Sequence, residues 1–145
     1  MNTLNLPNQY VLQALYNALN NQVVDGDAIP VYDSVVPGDE LPTKYILLGS
    51  QANDSTEYSF LGYAWSHTVS IECYTRTPAI GNPGSRVACS KIANMVVQQL
   101  ANLTIDAGAN LRLHRITITQ PGDAFIPDNN YQISQIAILA VLEFN

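Results

Sequence analysis

Two histidines, His67 and His114, and two cysteines, Cys73 and Cys89, supply the near-neutral bases and thiol nucleophiles of this sequence. A nucleophile and its base must meet within hydrogen-bond reach. His67 and Cys73 fall on one face of the same strand pattern, where six extended residues hold them about 20 Å apart. His114 lies beyond the next helix pattern, so pairing it in space with Cys73 or Cys89 is the enzymatic alternative. No close Cys or His spacing suits a metal ion. The segment Gly81-Asn82-Pro83-Gly84 lacks the spacing and the lysine of a phosphate loop. Asp25, Asp27 and Asp33 lack the ligand pattern of a calcium hand, and Asp123 and Asp128 flank a proline-rich loop. All five read as solvated carboxylates. This inventory predicts no catalysis, no cofactor and no metal site.

Bulk properties point the same way. The 145 residues fit one domain spanning 1–145, with a core that needs no staple. Hydrophobic residues make up 47% and charged residues 12%, which leaves a surface poorly protected against association. Seven acids in residues 1–60 face Lys44 alone, while the remainder balances five acids with five bases. No basic patch is interleaved with aromatics, so the footprint of a nucleic-acid grip is missing. Cys73 and Cys89 read as small buried apolar residues in a strand and a helix, with a bridge between them as the alternative. Residues Met1 to Pro7 carry no signal-peptide pattern, and no apolar run is long enough to span a membrane. We therefore expect a soluble protein made in a cytoplasm.

Periodicity supplies the elements. Val11, Leu12, Leu15, Tyr16 and Leu19 predict a helix over about 8–21, ended by Asn20-Asn21 and Asp25-Gly26-Asp27. A short extended piece follows over Ile29 to Tyr32, then a strand over Tyr45 to Leu48. The polar stretch 50–62 reads as a long hairpin tip or arm. From Trp65 to Thr75, His67, Val69, Ile71 and Cys73 alternate with Thr68, Ser70, Glu72 and Tyr74, the pattern of a half-buried strand. Ser85 is the expected N-cap of a second helix to Leu100, with Ala88, Ile92, Met95, Val96 and Leu100 on its stripe. In the strand Leu111 to Thr119 the apolar face shifts, which predicts a bulge near His114 or Arg115. Residues 120–130 read as a breaker region. The last strand, Tyr131 to Phe144, is apolar on both faces from Ile136 to Leu142. It therefore belongs in the middle of the sheet, with its second face open to another subunit. The fold class expected is α+β in the order α-β-β-β-α-β-β. It is a mostly antiparallel sheet of four to five strands with two helices packed on one face.

Apolar side chains in loops are the other signal. Tyr58, Phe60, Tyr63, Phe125 and Ile126 fall in segments placed at the surface, where they are expected as contact points for a neighbouring subunit. Folding back over their own core is the alternative.

In this order and spacing the chain resembles the tail-completion proteins of long-tailed bacteriophages, also called tail terminators or head–tail joining proteins. The likeness rests first on the helix Leu12-Gln13-Ala14-Leu15-Tyr16-Asn17-Ala18-Leu19. It continues through Val31-Tyr32-Asp33-Ser34-Val35-Val36-Pro37 and Leu41-Pro42-Thr43-Lys44-Tyr45-Ile46-Leu47-Leu48-Gly49. The strand Ser66 to Tyr74 leading to a helix, and the late strand Ile133 to Phe144, complete it. Thr43-Lys44 between Pro42 and Tyr45 departs from the family's adjacent proline and aromatic.

The resemblance implies a virion protein, assembled in the bacterial host cytoplasm. It implies a homo-oligomeric ring, usually a hexamer, that caps the tail tube, stops its growth and meets the head connector, or stopper, protein. No cofactor and no chemistry are implied. Asp25, Asp27, Asp39 and Glu40 would then face the lumen and let DNA pass without specific binding. A head-side connector or minor capsid subunit is the near alternative. A small-molecule or peptide-binding adaptor, with its ligand against the open sheet face, is the alternative from another class.

Overall fold

The computed structural model describes residues 8–33, 42–57, 63–76, 84–105, 111–126 and 131–144. Helix α1 spans Asn8–Leu19 and buries Val11, Leu15 and Leu19, one residue per turn of the expected stripe. It ends at Asn20, whose amide donates to the Tyr16 carbonyl, and at Asn21, which takes a positive φ of 59°. Asparagine tolerates this left-handed geometry at a helix end.

Strands β1 (Gln22–Val24) and β2 (Asp27–Ile29) form an antiparallel hairpin that the sequence reading missed. Asp25 and Gly26 have φ values of 52° and 84°, the mirror-image turn that matches strand twist. The Asp25-Gly26 pair can stop a helix, and it is also the strongest short hairpin signal, the role it takes here.

The main sheet has five strands in the order β3-β4-β5-β7-β6. They are β3 (Val31–Asp33), β4 (Lys44–Glu57), β5 (Tyr63–Arg76), β6 (Leu111–Ile126) and β7 (Tyr131–Phe144). All pairs are antiparallel except β3 with β4, so the sheet is mixed. The element order gains two strands on the expected one. As anticipated, β7 sits between two neighbours, β5 and β6.

Two boundaries moved outward. The polar stretch after Leu48 continues as strand to Glu57, past a register shift between Leu48 and Gln51. Residues 120–126, read as breaker, continue β6 past a second register shift between Thr119 and Gly122. Proline is tolerated in a strand at an edge or a bulge, and Pro121 has both. The shift between Leu113 and Arg115 matches the bulge expected there.

Helix α2 (Gly84–Leu100) opens one residue ahead of Ser85, which is therefore inside the helix rather than capping it. Its buried stripe is Cys89, Ile92, Ala93, Met95, Val96 and Leu100. It packs on β5 and β7, while α1 packs on α2 and β4. Ile46, Leu48, Val69, Ile71, Ile136, Ile138 and Leu142 join both helices in one apolar cluster. Both helices thus cover the same sheet face, as the alternation in β5 requires.

Candidate interaction surface

The residues with chemical potential lie inside this core. His67 is fully buried on the helix-covered face of β5, level with Ala140 of β7, and desolvation holds its pKa below the usual imidazole value. Cys73 is buried on the same strand face, and Cys89 reaches it from α2. The Cys89 thiol donates toward the Cys73 carbonyl at 3.2 Å, with the Gln132 carbonyl at 3.5 Å. Both cysteines are free thiols. Burial raises Cys73 far above the ordinary thiol value and pushes Cys89 up to about 11. Thiols so shifted are protonated at neutral pH and are poor nucleophiles. His114 lies on β6, at the first register shift. Among the described residues no group of three His, Cys, Asp or Glu side chains is placed to hold a metal ion.

Among the described residues the opposite sheet face has no helix on it, and its main feature is aromatic. Tyr45 and Tyr74 are cross-strand partners whose rings stack at 4.6 Å. Tyr131 meets both edge-on, at 5.8 Å and 5.9 Å, and Tyr32 meets Tyr45 edge-on at 6.1 Å. The Arg76 guanidinium lies 5.9 Å from the Tyr131 ring centre, within cation–π range. The Tyr131 hydroxyl donates to the Pro42 carbonyl at 2.8 Å, and the Tyr74 hydroxyl donates to the Glu72 carboxylate. Tyr45 is 5% exposed and Tyr131 only 2%, on a face that no described helix covers. The ring contacts contribute to that burial. Burial, with Tyr131 and Glu72 adding negative charge, pushes Tyr45 up to about 12. Tyr74 is raised by burial and then by the Glu72 hydrogen bond, and Tyr131 is raised by burial against the opposing pull of Arg76. The sequence reading did not single out these tyrosines. Their signal was one of register: only the pairing of β4, β5 and β7 brings them together.

This chain shares its fold with a chain in a structure titled "Virion of native gene transfer agent (GTA) particle". The two superpose with a TM-score of 0.70 at 17% identity, over 94% of this chain and 96% of that one. No family model matches the sequence. The curated proteins give no match either.

The expected contact residues are placed as follows. Tyr58 and Phe60 lie outside the described residues, as do Asp39 and Glu40. Tyr63 is not in a loop: it opens β5, opposite Glu57 of β4. Phe125 and Ile126 also belong to a strand, paired in β6 with Gln132 and Tyr131. The proline-based loop reading failed there because the bulge absorbs Pro121. Asp25 and Asp27 flank Gly26 in the hairpin turn and each meets a lysine: Lys91 Nζ at 3.0 Å and Lys44 Nζ at 2.8 Å. These ion pairs tie the hairpin to α2 and β4, each across exposed surface where such pairs contribute little.

Past the tyrosines the helix-free face turns small and polar. Thr68, Ala137, Leu139 and Thr117 stand side by side there, with Leu139 between the two threonines. The second face of β7 is therefore buried at Ile133 and Val141 and only half-covered at Ala137 and Leu139. The helix-free face carries stacked rings and runs out to strand edges, the parts of a contact surface.

Proposed function

We propose that this chain is the structural subunit of a ring joining head and tail in a tailed-phage-like particle. The ring caps the tail tube, ends its growth and docks to the head connector. The observation that carries this reading is the fold likeness to a virion chain over nearly the full length of both. The order of motifs along the sequence supports it independently. In this reading the chain works by contact alone, as a homo-oligomer of six copies, with the tube protein and the connector as partners. Duplex DNA crosses the lumen without being held. Asp25, Asp27, Asp39 and Glu40 line that passage. The lysines beside Asp25 and Asp27 lower the field those two contribute.

The test is to mix purified protein with tail tubes and image the products by negative stain, with mass measured over a concentration series. Rings with a central hole wide enough for duplex DNA, seated at tube ends, are the expected result. A chain that neither forms rings nor binds tube ends overturns the proposal.

A further inference from the structure

The register of the main sheet sets four residues of β6 level with four residues of β4. Arg115 pairs with Val141, Val141 with Ser66, and Ser66 with Asp54. The next rows run Ile116-Ala140-His67-Asn53, Thr117-Leu139-Thr68-Ala52 and Ile118-Ile138-Val69-Gln51. All four rows cross β6, β7, β5 and β4 without interruption. They are bounded by the register shifts at Leu113/Arg115 and Thr119/Gly122 on β6 and at Leu48/Gln51 on β4.

Both ends of these rows are strand edges. Among the described residues β6 is the last strand of the sheet, and β3 pairs with β4 only from Ile46 to Leu48. Open edges display unpaired backbone donors and acceptors and are normally blunted. Here the other half of each edge is blunted: β3 covers one, and Pro121 with its bulge interrupts the other. The halves left plain are the two that stand level. They also carry opposite charge, with Arg112 and Arg115 on β6 and Asp54 and Glu57 on β4.

Three antiparallel steps separate β4 from β6, so the two strands run in opposite directions. A second copy placed beside the first in the same orientation therefore meets it with antiparallel edges. A closed ring rotates each copy into the next without sliding it along the axis, so with strands set along that axis the rows meet at their own level. We propose that the segment Arg115–Ile118 of one copy pairs with Gln51–Asp54 of the next, with Arg115 beside Asp54. The occupant of each edge is a second copy of this chain, and the joint continues the sheet from subunit to subunit. This rests on the ring reading and adds the joint that builds it.

Charge reversal tests it on the full chain, reading assembly by sedimentation and fold by circular dichroism. Arg115→Glu and Asp54→Arg each weaken ring formation at least about tenfold, and the double variant restores it. Unchanged spectra separate this from misfolding, since both positions lie on strand edges. Rings that tolerate either single reversal, or that the double variant fails to restore, overturn the joint and leave the ring reading standing. A wild-type chain that forms no ring, alone or on tail tubes, overturns both.

Discussion

Tyr45 and Tyr74 stack face to face across the β4–β5 pair, 4.6 Å between ring centres and 6° from parallel. Their hydroxyls sit among Tyr131 and Glu72, where a second negative charge is unwelcome. For Tyr45 the folded pKa of about 12 exceeds the ordinary phenol value of 10.0, so the folded state holds its proton more tightly. Its contribution is complete below pH 10 and is lost as pH rises from there through about 12. Unfolding midpoints should fall steeply over that window, and Tyr45→Phe should flatten the fall. Tyr45→Ala should cost about 3 kcal/mol at neutral pH by denaturant titration.

His67 gives the acid counterpart. Its folded pKa is depressed by burial, so the unfolded chain takes up the proton first. The stabilisation is complete above the ordinary value of 6.5 and is lost as pH falls through the folded value. Denaturant midpoints measured at pH 7.5 and at pH 5 should drop, and His67→Gln should remove part of the difference.

The two thiols should be silent in the native protein. Cys89 at about 11, against an ordinary thiol value of 9.0, carries about a hundredfold less thiolate than a free thiol at neutral pH. Alkylation followed by mass spectrometry should modify neither Cys73 nor Cys89 until denaturant is added. Fast labelling in the native state would reopen the enzymatic alternative.

Gly26 carries a φ of 84° in the β1–β2 turn, with open space where a side chain would project. Strain alone is then at stake, without a clash. Gly26→Ala should cost about 1–2 kcal/mol, and Gly26→Asn clearly less. Thermal unfolding of the pair measures the difference.

Much of the architecture was legible because apolar period carries it. Leu15 and Leu19, Ile92 and Val96, and the alternation from His67 to Cys73 each named a buried face correctly. The bulge beside Arg115 was visible as a slip in that alternation. Turn chemistry was the weaker guide: Asp25-Gly26 can end a helix or reverse a hairpin, and Pro121 can break a strand or sit in a bulge on its edge. Pairing decides between these, and pairing is not local. The tyrosine cluster was hidden for the same reason. Tyr32, Tyr45, Tyr74 and Tyr131 are spread over about a hundred positions and meet only when register is known. Loop placement fared worst, since Tyr63, Phe125 and Ile126 are strand residues.

The position of β7 bears on how the molecule is made. Among the described residues it follows every other strand, yet it separates β5 from β6 and is the only strand that pairs with β6. β6 therefore has no strand to pair with before β7 is present. Leu113, Ile116 and Ile118, which pack against the core in the finished fold, stay exposed until β7 has been added. Pairing of β6 thus waits for a strand that follows it in sequence, and its apolar residues are covered only when both strands are in place.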